Sequence, residues 1–569
     1  MQPASAIPQP PTVAAFTAPG APFELIDAQV GAISCRLFRH APRSLPELYA
    51  GARQHADREF TVMDAERLSY GQVFAQAASL AAHLAEEGVG RGTHVALAMR
   101  NRPAWLIAFI AVSALGAVPV LCNSRGAGPE LAHGVRHTRS RWVIADERCA
   151  QLLQEAEPAA AFRGIVDGAA PGGARPWSRW SELTAGSAPR PLPLTACAPE
   201  DPALIMFTSG TTGEAKAAVL SHVGVLTALM ANQLSGALLQ ARLAAHLKVP
   251  AETLARQAPP PCTLLVFPLF HTSGCLSVFL TSLARGGRIV FLPRWEVGAA
   301  LRLIEGERVS ALPAVPTMLW DLLQSPQLEH HDTSSLVSLA SGGQALPQGL
   351  LQAIRARFPR VLLGTGYGMT ETNGMVSLAL GEDYLAHPES AGQPLATAQL
   401  RIVDEADAEV PRGVRGEICV RSAQNMLGYF ERPEADAEVL RGGWLHTGDV
   451  GFLDPEGYLH IVARKTDMVI SGGENVYCAE VERVLLEHPQ VLEAAAIGVA
   501  DERLGERLLA VLVPRAGAAL EEGQLQGFCA ARLARYKVPA LWRIESGPLE
   551  RSASGKVLKA QLRARLSGA

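Results

Sequence analysis

The stretch ALIMFTSGTTGEAK, Ala203 to Lys216, decides how the rest of the chain is read. Its first five residues are all apolar, the length and composition of a strand buried on both faces. Thr208-Ser209-Gly210-Thr211-Thr212-Gly213 follows at once, then Glu214, Ala215 and Lys216. Hydroxyls and backbone N–H groups freed by glycine can cradle a polyphosphate, and Lys216 supplies a compact charge beside it. A Ser/Thr-Gly turn without function has the same composition. The spacing is not G-x-x-x-x-G-K-[S/T], which disfavours a P-loop NTPase.

Outward from this strand, apolar strands alternate with helices of 10–15 residues. Ser69 with Gln72 forms a capping box for a helix whose apolar face (Val73, Ala77, Leu80, Leu84) stops at Gly88, and strand 94–99 follows. The pattern recurs at 142–145, 264–268 with helix 273–284, 288–292 and 338–364, and predicts parallel sheets covered by helices. Ala104 to Cys122 is uncharged over a length that could span a bilayer, but Gly116 and Pro119 divide it into a buried helix and a buried strand. Residues 169–200 read as a surface connection. Beyond about Gly413 short strands take over, and a small α+β domain closes the chain from about 467, with helix 479–487, strand 509–513 and helix 521–535.

With 569 residues, 48% hydrophobic and 19% charged, the chain is globular and multi-domain, which excludes disorder, collagen and coiled coil. Lys+Arg 51 against Asp+Glu 55 leaves −4, so no bulk positive field exists to hold nucleic acid or an anionic membrane. Nine cysteines without a C-x-x-C pair read as reduced thiols, with neither disulfide frame nor zinc site, and point to the cytoplasm. The proline-broken start lacks a basic n-region, so 1–30 reads as a flexible lead-in rather than a signal peptide. Only six of the 51 basic residues are lysine, so Lys216 and Lys556, both in glycine-containing loops, stand out as functional candidates against chance placement. In Gly366-Tyr367-Gly-Met369-Thr370-Glu371 an aromatic ring can stack on a base, a hydroxyl can meet a phosphate and a carboxylate can hold Mg²⁺. Gly443 to Asp449 ends in a carboxylate suited to ribose hydroxyls, and Ala463 to Asp467 precedes Ser471-Gly472-Gly473-Glu474-Asn475. Each alone also reads as ordinary turn chemistry.

Together, and in this order, these motifs resemble the adenylate-forming superfamily of acyl-CoA synthetases, peptide-synthetase adenylation domains and luciferases. The resemblance implies an α/β fold: residues 31–465 as a large domain of two sheet-helix lobes plus a small β-barrel, then a small mobile α+β domain, 466–569, hinged near Thr466. It implies two half-reactions, in which ATP and a carboxylate give an acyl-adenylate and a thiol then displaces AMP. Carried over by position, Thr208 to Gly213 and Lys216 hold phosphates, Gly343 and Gln344 bind ATP, Tyr367 stacks on adenine, Glu371 holds Mg²⁺ with Thr370 at the phosphate, and Asp449 and Arg464 take the ribose. Lys556 is the adenylation lysine, and Ser471, Gly472 and Gly473 shape the coenzyme A tunnel. No general base for the thiol is identified.

Three positions depart from the family pattern: Glu214-Ala-Lys-Ala217 in the phosphate loop, Thr466 at the hinge, and a long 238–261 segment, helical over 237–247. Phe267 to Gly274 matches the motif beside the acyl pocket, and His271, without fixed negative charge, disfavours an α-ammonium substrate. The expected walls Val315, Met318, Ser341, Gly342, Met369 and Met375 are small or apolar. A fatty acid is ranked first, with aryl and polycyclic acids behind. Free coenzyme A is the expected acceptor, because no carrier domain follows Lys556; a separate carrier protein is the rival. A homodimer is allowed. An oxygenase has no feature selecting for it, and a non-catalytic relative would be expected to lack Lys556, Glu371 or the Thr/Ser loop.

Overall fold

The computed structural model describes residues 12–157, 161–172, 177–184, 191–208, 215–247, 249–250, 260–341, 346, 348–471, 474–501, 503–552 and 555–566. They form two compact units, one of residues 12–208, 216–399 and 421–443, the other of 400–420 and 444–566.

The first unit holds two large sheets. In one, His94–Ala98, Val118–Leu121, Trp142–Asp146 and Arg163–Asp167 run parallel, and Pro202–Phe207 joins Val118–Leu121 in the same sense before turning back into antiparallel Ala217–Ser221. In the other, Glu59–Met63, Arg288–Phe291, Cys262–Leu265, Ala311–Ala314, Ser338–Ser341 and Leu362–Met369 are parallel neighbours in that order, and Gly374–Leu380 runs back. Among these strands, those joined through a helix are parallel, as the alternation predicts. The antiparallel exceptions follow from connections 208–216 and 370–373, too short for a crossover of a dozen residues.

The stretch 104–122 is core. Every residue of the helix Pro103–Ala114 is buried, and it feeds the fully buried strand Val118–Leu121. The helix Tyr70–Glu86 carries the expected capping box: Ser69 Oγ accepts from the Gln72 N–H, and Gln72 Oε1 accepts from the Ser69 N–H at 2.7 Å. Residues 237–247 are the end of one long helix, His222–Leu247. Its portion His222–Arg242 is long and apolar enough to cross a membrane by length and composition, but 61% of that window is buried in the protein, as in a core helix.

Several boundaries differ from expectation. Residues 25–30, assigned to the lead-in, pair as a strand with Ile33–Phe38 across a turn at Gly31 (φ 55°), because Val30, Ile33, Cys35 and Leu37 have an apolar cluster to enter. Residues 1–11 of that lead-in lie outside the described residues. The 169–200 connection contains the strand Trp177–Arg179 and the helix Trp180–Thr184, whose tryptophans are buried. Helix 521–535 is Glu522–Ala530, since the chain then turns to seat Leu533 in the core. In the second unit the expected small barrel is an antiparallel sheet of Gln399–Val403, Gly416–Arg421, Trp444–Leu453 and Leu459–Arg464. The α+β portion comprises strands Met468–Ser471, Glu474–Tyr477, Val491–Asp501, Gly505–Pro514 and Leu541–Ile544 with helices Cys478–Leu486, Glu522–Ala530 and Lys559–Leu566.

His222, 2% exposed, opens the long helix with Nδ1 accepting the Leu45 N–H at 3.2 Å. Burial pushes its pKa down from 6.5 to about 4. The unfolded chain therefore takes up this proton first as pH falls, and stability should drop between pH 6.5 and 4 by about 3 kcal/mol in all. Urea unfolding midpoints measured across pH 7 to 4 should fall less steeply in His222→Gln than in the wild type.

Candidate active site

The carboxyl ends of three adjacent parallel strands are aligned, with Ala314, Ser341 and Thr365 side by side in register. Such ends are where open α/β sheets bind ligands. From Thr365 the chain runs on through Tyr367 to Met369, makes the 3-10 turn Thr370–Thr372, and returns at Asn373 (φ 54°) and Gly374 (φ 100°). Glycine is required here: a Cβ at Gly368 would strike the Gly374 carbonyl, and one at Gly366 would lie 2.6 Å from Met375 Sδ. The turn is held internally. The Thr372 hydroxyl accepts from the Met369 N–H at 3.0 Å and donates to the Gly374 carbonyl at 2.7 Å, while Asn373 Nδ2 donates to the Gln424 carbonyl at 2.6 Å.

This turn presents Glu371, 6% exposed. The Tyr429 hydroxyl donates to Glu371 Oε1 at 2.7 Å, and the Met426 N–H donates to the Glu371 carbonyl at 2.7 Å. On the other side of Tyr429, Lys216 Nζ lies 5.0 Å from the ring centroid, a cation–π distance. Lys216 is fixed through its backbone, its carbonyl accepting the Thr208 N–H at 2.8 Å. One tyrosine therefore joins the end of the phosphate loop to the carboxylate expected to hold Mg²⁺. Tyr429 and Gln424 were not singled out by the sequence, where they lie 58 and 51 residues from their partners Glu371 and Asn373.

Among the expected acyl walls, Val315 caps the helix Pro316–Gln324, Met318 is half-buried against the core, and Ser341 is buried. Met369 and Met375 sit on the two arms of the glycine hairpin, and Tyr367 is buried on the same strand as Met369. Half-buried His271 packs on Phe270 with ring centroids 4.5 Å apart. Its loop is pinned by Asn101, another residue the sequence did not flag, whose Nδ2 donates to the Phe267 carbonyl at 2.8 Å and whose Oδ1 accepts the Leu269 N–H at 3.0 Å. The following segment Ser273–Leu280 winds as a π-helix, a form frequent at functional sites, rather than opening as an α-helix. It packs against the strand Gly374–Leu380.

In the second unit, Asp449 and Arg464 face each other across two strands, with Arg464 Nε donating to Asp449 Oδ1 at 2.7 Å. Nearby Glu417 accepts from His446 Nδ1 (3.0 Å), Lys465 Nζ (2.9 Å) and the Gly448 N–H (3.0 Å). Burial works to raise the Glu417 carboxyl, but the hydrogen bonds from His446 and Lys465 outweigh it and hold the group below its usual range. Asp407, Cys419 and His446 bring three metal-type donors together. Arg401, however, lies 3.6 Å from Asp407, and burial pushes the Cys419 thiol up to about 12, the reverse of a ligating thiolate. Lys556 is exposed on a tight turn, in which the Ser552 N–H donates to the Lys556 carbonyl at 2.7 Å, and Ser471 ends the strand Met468–Ser471. Ser209, Gly210, Thr211, Thr212 and Gly213, together with Gly342, Gly343, Gln344, Gly472 and Gly473, lie outside the described residues.

Residues 48–430 match the AMP-binding enzyme family and 480–556 the AMP-binding enzyme C-terminal domain. The chain belongs to the AMP-binding, adenylate-forming family of enzymes. It is 36% identical to a feruloyl-CoA synthase of Amycolatopsis sp over 503 residues, 88% of this chain and 94% of that one. It is 32% identical to a 2-succinylbenzoate–CoA ligase of Bacillus cereus, covering 89% and 95%. Among solved structures it resembles the o-succinylbenzoate CoA synthetase of Bacillus subtilis in complex with the acyl-adenylate intermediate, with TM-score 0.74 and 29% identity over 92% and 98% of the two chains.

Tyr429→Phe leaves a buried carboxylate oxygen without its donor, which should cost about 1–3 kcal/mol. The loss should be visible as a lower urea unfolding midpoint with an unchanged denaturant slope.

Proposed function

We propose that this chain is an AMP-forming ligase that activates an apolar, aryl-bearing carboxylic acid with ATP and transfers the acyl group to coenzyme A. The observation that carries the reading is the buried Glu371, bonded to Tyr429 beside Lys216, at the carboxyl edge of a parallel sheet whose adjoining walls are apolar. Straight-chain fatty acids rank first on the sequence alone; the relatives above are named for aromatic acids, which moves the aryl class ahead. The unpaired cysteines, eight of nine buried, support a reducing compartment such as the cytoplasm.

In the first half-reaction a carboxylate oxygen attacks the α-phosphorus of ATP and pyrophosphate leaves. Lys556 neutralises the charge of the approaching anions, whose repulsion otherwise opposes the attack. Lys216, Thr370 and the 208–213 loop hold phosphates, Tyr367 stacks on adenine, and Asp449 with Arg464 takes the ribose. Glu371 fits a hard cation: one oxygen-donor carboxylate, oriented by Tyr429, is what Mg²⁺ asks of a protein when phosphate oxygens supply the rest. Bound there, Mg²⁺ would screen the phosphate charge. In the second half-reaction the coenzyme A sulfur attacks the acyl carbonyl to form a C–S bond, the acyl C–O bond to phosphate breaks with its electron pair leaving on AMP, and the thiol proton passes to solvent. Residues 466–569 turn about Thr466 between the steps, replacing Lys556 by the Ser471–Asn475 segment, where Gly472 and Gly473 leave room for pantetheine.

Pyrophosphate release with ATP, Mg²⁺ and a panel of hydroxycinnamic, benzoic, polycyclic and straight-chain acids tests the reading. Release should be strongest with an aryl acid, and an acyl-CoA should form once the thiol is added. A straight-chain optimum would overturn the substrate class, and acid-dependent release without thioester would overturn the acceptor. Lys556→Ala should lower acyl-adenylate formation by about 100-fold or more while changing thioester formation from supplied acyl-adenylate by less than about threefold.

A further inference from the structure

Lysine is scarce in this chain, and one lysine besides Lys556 occupies a site that a surface charge does not need. Lys559 opens the terminal helix Lys559–Leu566, three residues beyond Lys556. Its Nζ lies 2.7 Å from Glu482 Oε1 and 3.6 Å from Asp467 Oδ2, with the side chain only 16% exposed. Glu482, on the helix Cys478–Leu486, also accepts the Ala496 N–H at 2.7 Å, so it is tied to the long edge strand Val491–Asp501. Asp467 ends the 3-10 turn Lys465–Asp467 and immediately follows Thr466.

The Lys556 turn is thus held by both arms. On one side Arg551 donates to the Gly555 carbonyl (2.9 Å) and to Glu493 Oε2 (2.5 Å) on the same edge strand. On the other side Lys559 links the turn through charge to Glu482 and to Asp467, the residue just after Thr466. A compact ammonium suits the gap between two carboxylates, where a planar guanidinium fork would need a wider one.

We infer that Lys559 is a positioning residue: through Asp467 and Glu482 it fastens the Lys556 turn to the chain just after Thr466, so that rotation there carries Lys556 without slack. The inference rests on the adenylation role proposed for Lys556.

Lys559→Met keeps the length and removes the charge. It should slow acyl-adenylate formation about 10-fold or more through kcat, with KM for ATP within about twofold and thioester formation from supplied acyl-adenylate within about threefold. Asp467→Asn, a milder change, should produce the same one-sided loss more weakly, and the double variant should be no slower than Lys559→Met, as for two residues acting through one contact. Equal losses in both half-reactions, or none, would overturn the inference and leave an ion pair that only stabilises the fold; a Lys559→Met protein that fails to fold leaves the decision to Asp467→Asn. Lys556→Ala measured in parallel separates the two readings. If it spares adenylation, the role of Lys556 falls; if it abolishes adenylation while Lys559→Met and Asp467→Asn do not, only the role of Lys559 falls.

Discussion

A carboxylate buried inside a protein is unstable unless something donates to it, and the first unit is arranged around meeting that requirement at Glu371. Its donor, Tyr429, belongs to the two-residue strand Gly428–Tyr429 paired on Ala217–Ser221, at the edge of one sheet. Glu371 itself stands on a turn of the other sheet. This hydrogen bond, like those of Asn101 to the Phe267–Leu269 loop, joins the two sheets of this unit and, through Lys216, includes the end of the phosphate loop. The surrounding glycines, the Thr372 staple and the Asn373–Gln424 pair serve to keep that one oxygen where Tyr429 can reach it.

The second unit meets the same problem differently. Glu417 is as deeply buried as Glu371, but it is satisfied by a histidine, a lysine and a backbone amide. That arrangement fixes the neighbourhood of Asp449 and Arg464 electrostatically, and it leaves Cys419 as a packed thiol. Lysines at 465 and 559 both neutralise carboxylates within this unit, on either side of Thr466.

What the sequence made legible was periodic or local. Strand–helix alternation announces parallel sheets, a capping box marks Ser69, and glycine with proline breaks the apolar stretch 104–122 into a helix and a strand. Glu371 and Lys216 stand in motifs dense enough to be noticed. Their organiser, Tyr429, does not, because a lone tyrosine beside a glycine carries no signal of a partner 58 positions away. Asn101 is hidden for the same reason, its two contacts lying 166 and 168 residues on. The hairpin 25–38 was obscured by the prolines before it, and Lys559 by partners, Asp467 and Glu482, that lie far back in the sequence. Tertiary pairing, which single-sequence patterns do not encode, accounts for each of these.

Both segments expected to handle phosphate emerge from hairpins at the edges of otherwise parallel sheets, 208–216 between Pro202–Phe207 and Ala217–Ser221, and 370–373 between Leu362–Met369 and Gly374–Leu380. A loop whose two ends are already zipped into a ladder has had most of its closure entropy removed by the strands rather than by the ligand. The cost of bringing the two ends of each segment together is then borne by the sheet and not by the nucleotide. An enzyme that must bind a triphosphate, hold an adenylate and discharge a monophosphate in one cycle gains turnover from that arrangement, because the scaffold, not the affinity for any one of them, carries the organisation.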